Sequence, residues 1–280
     1  MIQDNRTFCV SFIPDCPWTT GHLILKAFRK LGLKVVFAHP HDAASVVADK
    51  YLFVDSAHCY QINTPKEKTA IYSIDCYQNG LELFKQGFDT RLGWWMDVAN
   101  HVSIVFDAFE YGYHWWRKMD KKVIFIAMGC DEEIFYKENL DKKYDVCFVG
   151  GRKTQGIRRE ILKIVEENFN LHSPHTYFDG IRTAAAQSRC FLDISPMEED
   201  MLGQRFFEGY ACETPMVSME RPTLLAYNSP KAGIYTYDLF DLEKSLISSV
   251  NAAMKHSEPI VRDIETMKWT AKVEKILKYI

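Results

Sequence analysis

The sequence predicts an α/β fold of two Rossmann-like domains. Short apolar runs typical of buried strands alternate with segments of helical spacing along the 280 residues. A polar, charged stretch at 131–143 separates two such series. Each series opens with a strand, a loop and an amphipathic helix, which is the start of a doubly wound parallel sheet.

The first series gives the predicted N-terminal domain, residues 1–130. An apolar run at 7–13 predicts a strand, and helical spacing over 22–31 predicts a helix that Gly32 ends as its C-cap. The loop between them lacks the glycine fingerprint of dinucleotide-binding proteins, so a redox cofactor is not expected. Further strands are predicted at 34–38, 51–54, 70–74, 102–106 and 123–127.

Polar residues in the first loop and at the ends of these strands are candidate site residues. Ligands of such sheets bind outside the carboxyl ends of the strands. The candidates are Asp15, His22, His39, His41, Asp75 and Asp107.

The second series gives the predicted C-terminal domain, residues 131–265, and a last helix falls in 266–280. A strand at 144–149 leads through Gly150 and Gly151 to a helix at 155–169. Backbone N–H groups at such a turn can approach phosphates, and the helix N-terminus favours anions. Other predicted elements are strands at 170–172, 190–194 and 216–218, helices at 181–188, 241–255 and 260–280, and a loop-rich segment at 221–237.

The stretch 201–215 predicts a short helix that ends at Thr214-Pro215. Arg205 and Glu208 are spaced i, i+3 and therefore lie on one face of that helix. A guanidinium and a carboxylate near a helix start can hold a diphosphate and a sugar hydroxyl side by side, which suits a nucleotide-sugar. The alternative is a simple ion pair between the two side chains within the helix.

Composition narrows the classes of function. The net charge of -3 argues against a generally basic nucleic-acid-binding surface, although a local basic cleft stays possible. Eight cysteines without a close CxxC pair indicate buried free thiols in a reducing compartment. No apolar signal core or membrane-length run is present, so we expect a cytoplasmic protein. His39 and His41 lack the helical spacing of a good metal site, and no metal is expected.

Four segments, in order, resemble glycosyltransferases of the GT-B fold, and most of all the CgeB-like and "glycosyl transferases group 1" family. Over residues 120 to 280 the chain is similar to this family; the first 120 residues agree only in outline. One departure is Glu213, which stands where the family usually has a glycine at a helix C-cap. The segments are 128–135, 145–151 with the following Arg158, the pair Asp200 and Glu208 with seven residues between them, and 205–215.

The resemblance implies that the two domains face each other across a cleft and that the last helix, in 266–280, crosses back to the N-terminal domain. It also implies roles for individual residues. Glu208 would bind the ribose hydroxyls of the donor, and Arg205 would face the diphosphate, with Gly150 and Gly151 close to the phosphates. Arg152, Lys153 and Arg158 compete as the second cation, of which Arg158 fits the family best. Asp200, an aspartate where the family has glutamate, would contact the transferred sugar.

The catalytic base is the least determined residue. A transfer that inverts the anomeric carbon needs a group that takes the proton of the acceptor hydroxyl. Asp15 and Asp75 are the first candidates. An enzyme that retains the configuration would need no such base.

The predicted function is therefore glycosyl transfer, of a hexose or pentose, from a nucleoside-diphosphate sugar to an acceptor hydroxyl. UDP is the expected nucleotide, and no cofactor is required. The acceptor stays open between a small molecule, a glycan, a protein and modified DNA. Two other classes on the same fold are a sugar-nucleotide epimerase or hydrolase and an inactive nucleotide-binding module.

One alternative is a phage-type DNA glycosyltransferase that acts on 5-hydroxymethylated cytosine. Bases stack on aromatic rings and phosphates pair with lysines, so an aromatic and basic cluster could hold DNA. The plainer interpretation of this cluster is a solvated helix end over a packed tryptophan. The cluster consists of Trp115, Trp116, Arg117, Lys118, Lys121 and Lys122.

Overall fold

The structure is a computed structural model. It describes residues 4–14, 19–54, 62–74, 100–118, 120–151, 156–194, 202–229 and 231–280. The chain divides into two compact units, of which unit 1 comprises Met1–Ala127 with Trp269–Ile280 and unit 2 comprises Met128–Lys268. The domain boundaries that we place after residues 130 and 265 stay predictions.

The described residues form eleven strands and seven α-helices. The strands are β1 (Thr7–Ser11), β2 (Lys34–Ala38), β3 (Lys50–Val54), β4 (Thr69–Ser73), β5 (Ile104–Asp107), β6 (Val123–Phe125), β7 (Tyr144–Cys147), β8 (Leu171–His172), β9 (Ser188–Asp193), β10 (Met216–Met219) and β11 (Ile234–Tyr237). The helices are α1 (Thr20–Lys30), α2 (Glu110–Lys118), α3 (Ile157–Asn168), α4 (Asp179–Ala186), α5 (Gln204–Ala211), α6 (Leu242–Met254) and α7 (Trp269–Leu277).

Unit 1 contains a six-stranded parallel sheet with the order β2-β1-β3-β4-β5-β6. Its inner strands are apolar over nearly their whole length because helices cover both faces of such a sheet. Cys9, Phe53, Ile71 and Val105, from four neighbouring strands, are fully buried in one cluster. The α/β prediction for this half is confirmed.

The predicted C-cap at Gly32 is also confirmed. Gly32 has a φ of 75°, and its N–H donates to the Arg29 carbonyl at 3.0 Å. The Leu33 N–H donates to the Phe28 carbonyl at 3.2 Å, which completes a Schellman motif. A β-carbon would be strained at this φ, so a glycine ends α1 at the lowest cost.

Helix α7 packs in unit 1, as predicted for the last helix. The Lys275 ammonium donates to the Phe125 carbonyl at 3.0 Å, and the Trp269 ring lies 6.0 Å from Tyr72, edge to face. The predicted helical span of 260–280 is wrong, however, because α7 begins only at Trp269. The chain before it is held by other partners, since the Val261 N–H donates to the Lys231 carbonyl and Cys130 pairs with Lys268.

Unit 2 contains a five-stranded parallel sheet with the order β11-β10-β9-β7-β8. Strand β11 lies inside the segment that we predicted to be loop-rich. Pro222, Pro230 and Gly233 dominate that pattern, whereas the strand itself is only Ile234–Tyr237. Its β-branched and aromatic residues pair with β10. This pairing with a neighbouring strand, rather than the local turn residues, determines that the segment is a strand.

Glu213 adopts the left-handed conformation that the family provides with glycine, with a φ of 51°. We expect Glu213→Gly to raise the free energy of unfolding by about 0.5–1 kcal/mol, since glycine carries no β-carbon to strain. The Lys137–Glu213 ion pair, 3.8 Å long and partly exposed, offsets little of this gain. Urea denaturation measures the change. Glu213→Ala keeps the β-carbon, and an equal gain from alanine would contradict the explanation.

Candidate functional site

The chain reverses direction across the unit 2 sheet at β7. From β7 it moves outward to β8, then returns to the other side of β7 to form β9. The carboxyl ends of β7 and β9 therefore flank a topological switch point, where α/β sheets bind ligands. Gly150 and Gly151 follow β7, and Ile194 follows β9, so these residues border the crevice.

Arg158, in the first turn of α3, joins the two sides of this crevice. Its Nη1 donates to the Gly151 carbonyl at 3.4 Å and its Nη2 to the Ile194 carbonyl at 3.1 Å. Burial lowers the pKa of Arg158, while Asp193 and Tyr237 oppose that shift. Arg158 thus holds two strand-end loops together and leaves a cation beside the glycine turn.

Gly150 occupies a place where a larger residue would not fit. A β-carbon there would lie 2.7 Å from the Phe148 ring, whereas one at Gly151 would meet open space. The fixed Phe148 ring, 3% exposed, leaves no room for a side chain at the first glycine. The turn is therefore kept small where it faces the start of α3.

Helix α5 follows β9 and begins at the same edge of the sheet. Phe206, Phe207 and Tyr210 are buried on its inner face. A β-carbon at Gly209 would approach the Phe191 ring to 2.7 Å, so this glycine lets the helix lie close to β9. The N-cap residue Gly203 makes no side-chain capping hydrogen bond. The Phe206 N–H donates to the Gly203 carbonyl at 3.0 Å, and N–H groups at such a helix start are of the kind that bind anions.

Arg205 and Glu208 form a hydrogen-bonded ion pair on α5, between Nη1 and Oε2. Glu208 is 4% exposed, and burial raises the pKa of its carboxyl group, while the charge of Arg205 opposes the shift. Arg205 keeps 28% of its side chain exposed and lies 5.4 Å from the centre of the Tyr177 ring. Both the ion pair and the shared helix face anticipated from the spacing are therefore present.

Gln204 ties the start of α5 to the segment that begins unit 2. Its Nε2 donates to the Gly129 carbonyl at 2.9 Å, while its buried Oε1 has no hydrogen-bond partner. A buried amide oxygen without a donor is energetically costly. Nothing in the sequence pattern distinguished Gln204 from an ordinary first-turn residue.

A buried polar cluster lies beneath the crevice, and the sequence pattern did not predict it. The Ser218 hydroxyl donates to Asp193 Oδ2 at 2.8 Å, and both residues are almost fully buried. Arg158 and the buried Tyr237 lie close enough to influence Asp193 electrostatically. Burial raises the pKa of Tyr237, and its hydroxyl has no hydrogen-bond partner. The polar residues that end β9 and β11 were the feature of the sequence that could have indicated this cluster.

The other predicted site residues divide into two groups. Asp15, Asp75, Asp200 and Arg152 lie outside the described residues, and their roles stay predictions. Asp107, expected to face a cleft, is instead fully buried at the end of β5. Its carboxylate accepts the Phe109 N–H and the Trp116 indole N–H, both at 2.8 Å. Asp107 therefore has a structural role as a buried hydrogen-bond acceptor, and the expectation that it faces a cleft is wrong.

Histidines lie at the carboxyl edge of the unit 1 sheet as expected. His22, in the first turn of α1, packs edge to face on Phe12 at 4.8 Å. Burial lowers the pKa of His22, and Arg29 adds to the effect, so its imidazole is neutral near pH 7. His39 and His41 stack on each other at 5.0 Å.

The described residues show neither a metal cluster nor a membrane-spanning helix. No group of three or more His, Cys, Asp or Glu side chains in that part of the chain is arranged to hold a metal ion. No helix there combines the length and the apolar composition that crossing a bilayer requires.

Comparison with known proteins gives structural matches. No protein-family model matches the chain. No curated protein matches it either. Sucrose-phosphate synthase from Thermosynechococcus elongatus aligns over 98% of both chains, with 11% identity and a TM-score of 0.67. The Anabaena protein HepE, bound to UDP and glucose, aligns over 98% of this chain and 100% of its own, with 10% identity and a TM-score of 0.63.

A DNA-modifying β-glucosyltransferase, studied with uridine diphosphoglucose, also matches. It aligns over 96% of this chain and 94% of its own, with 13% identity and a TM-score of 0.56. The matches extend over nearly the whole chain, and the two parallel sheets with their helices agree with the predicted architecture. The chain has the GT-B fold of these glycosyltransferase structures.

Proposed function

We propose that this protein is a glycosyltransferase that moves a sugar from a nucleoside-diphosphate sugar, with UDP as the expected nucleotide, to an acceptor hydroxyl. The observation that supports it most is the edge of the unit 2 sheet. There the glycine turn after β7, the cation of Arg158 and the start of α5 with Arg205 and Glu208 occur together. Neighbouring folds that bind UDP or UDP-glucose agree with it.

In this proposal each group takes the part of the donor that its chemistry suits. Glu208 accepts hydrogen bonds from the ribose hydroxyls, which a buried carboxylate does more strongly than a neutral acceptor. Arg205 turns toward the diphosphate, to which a guanidinium can offer two parallel donors. The N–H groups at Gly150, Gly151 and the helix starts face the phosphate oxygens.

The reaction breaks the bond between the anomeric carbon and the diphosphate oxygen, so the nucleoside diphosphate leaves with both bonding electrons. The acceptor oxygen forms the new bond to that carbon and loses its proton to a base. Asp15 and Asp75 stay the first candidates for the base, with Asp200 beside the transferred sugar. His22 joins them because a neutral imidazole at a sheet edge can accept a proton.

A second candidate acceptor is hydroxymethylated DNA, which the likeness to the DNA-modifying β-glucosyltransferase favours. The cluster at the end of α2 gives it less support than its sequence suggests. Trp116 is fully buried and donates to Asp107, so its ring is not available to stack on a base. Arg117 and Lys122 are exposed and can still pair with phosphates.

The proposal is tested by incubating the protein with a panel of nucleotide sugars, alone and with small-molecule, glycan, protein and hydroxymethylated-DNA acceptors. Mass spectrometry should find one acceptor heavier by one sugar. Donor consumed without any acceptor would instead indicate an epimerase or hydrolase. Thermal stabilisation by nucleotides without turnover would indicate a binding module. DNA binding that does not weaken with added salt would exclude the DNA acceptor.

A further inference from the structure

Arg262 lies after α6 and reaches across unit 2 to the C-terminal end of α5. Its Nη1 donates to the carbonyls of Tyr210 at 2.7 Å and Gly209 at 3.4 Å. Its Nη2 donates to the Thr214 carbonyl at 2.9 Å, and its Nε to the Ala232 carbonyl at 2.7 Å. The guanidinium carbon also lies 4.6 Å from the centre of the Tyr210 ring. One side chain therefore joins three segments of the chain.

The contacts with α5 satisfy groups that the helix itself cannot. The last four carbonyls of a helix have no partner within it, and Gly209 and Tyr210 supply two of them in α5. The Tyr210 carbonyl also accepts the Glu213 N–H at 3.2 Å, so Arg262 adds a second donor there. A cation at this end also interacts favourably with the helix dipole. Burial lowers the pKa of Arg262 to about 10, so the side chain still carries its charge at neutral pH.

Helix α5 has particular need of such a contact. It is eight residues long, too short to be stable by itself, and Gly203 gives its start no side-chain cap. Glu208 lies next to Gly209, and its carbonyl accepts the Cys212 N–H at 3.2 Å at the same helix end. A shift at this end would therefore move the Glu208 carboxylate directly.

We propose that Arg262 is a positioning residue for donor binding, which fixes α5 and thereby sets the place of Glu208 and Arg205. This inference rests on the proposed function and adds to it a residue more than fifty positions away in the sequence. Sequence spacing gives no sign of this role, because Arg262 falls in the helix predicted over 260–280, whereas in the structure it lies before α7 begins at Trp269.

The test measures UDP affinity by isothermal titration calorimetry in Arg262→Gln and Arg262→Lys. We expect glutamine to weaken UDP binding about 10-fold and lysine to weaken it less, because lysine keeps the charge but not the fork of donors. Arg182→Gln is the matched control. Arg182 also donates to a backbone carbonyl, that of Ile134, and lies over a tyrosine ring at 4.5 Å, but its described contacts do not include α5.

A double-mutant cycle with Glu208→Gln separates positioning from simple destabilisation. If Arg262 acts through Glu208, the two losses of UDP affinity will sum to clearly more than the loss in the double variant. Additive losses, or a loss no larger than that of Arg182→Gln, would overturn the inference while leaving the proposed function intact. A wild-type protein that binds no nucleoside diphosphate would overturn both.

Discussion

Glu208→Gln is expected to weaken UDP binding by about 10- to 100-fold, the worth of a hydrogen bond to a buried charged group. Glutamine keeps the shape of the side chain but loses the charge that accepts from two hydroxyls. It also removes the partner of Arg205, so both groups proposed to hold the donor change together. Calorimetric titration with UDP measures the loss.

Glu167→Gln on α3 serves as the control for this change. Glu167 makes an exposed i, i+4 ion pair with Lys163 at 3.7 Å, and such pairs contribute little to stability. The affinity of the Glu167→Gln variant for UDP should match that of the wild type. If Glu208→Gln bound UDP as tightly as this control, the assignment of α5 to the donor site would be wrong.

The pH dependence of binding gives a second readout of Glu208. Burial raises the pKa of this carboxyl above its ordinary value of 4.5. The proposed contact of Glu208 with the ribose uses the ionised form, so UDP affinity should fall as the pH is lowered through this raised pKa. The same shift makes the wild type lose stability as the pH rises from the unfolded value through the folded one. Both dependences should be absent in Glu208→Gln.

Asp107→Ala is expected to lower the free energy of unfolding by about 3 kcal/mol, because it removes the carboxylate to which two buried donors are hydrogen-bonded. These donors are the Phe109 N–H, just before α2, and the Trp116 indole N–H in the last turn of α2. Gly112 packs so tightly on the carboxylate that a β-carbon there would lie 2.4 Å from Oδ2. Urea denaturation should show a lower midpoint with an unchanged slope.

Asp42→Ala is the matched control in unit 1. Asp42 is exposed, and its described hydrogen bonds use its backbone atoms rather than its carboxylate. The free energy of unfolding of the Asp42→Ala variant should stay within about 0.5 kcal/mol of the wild-type value. If Asp107→Ala kept full stability but lost turnover, Asp107 would be a catalytic group after all.

Some of the site could be predicted because it depends on spacing along the chain. Arg205 and Glu208 share a face because a helix turns every 3.6 residues, and Gly150 and Gly151 follow a strand as the pattern requires. Glu213 was identified as the residue at a left-handed position by comparison with a glycine pattern, and its φ agrees.

Other features could not be predicted because their partners are distant in sequence. Arg262 contacts a residue about fifty positions earlier, and Ser218 on β10 bonds to Asp193 on the neighbouring strand β9. Asp107 looked like a cleft residue because it ends a strand, yet α2 folds back and buries it. A position at the end of a strand therefore does not by itself indicate whether a side chain is accessible to a ligand.

The α/β alternation, the two-part organisation and the α5 pattern could be predicted, since they follow from local periodicity and short-range spacing. Tertiary structure alone decided the strand order that puts β7 beside β9, the pairing of β11 and the burial of Asp107. Tertiary structure also decided the contacts of Arg158 and Arg262. The physical reason is that hydrogen bonding and burial across a sheet depend on which segments become neighbours, and periodicity does not encode that choice.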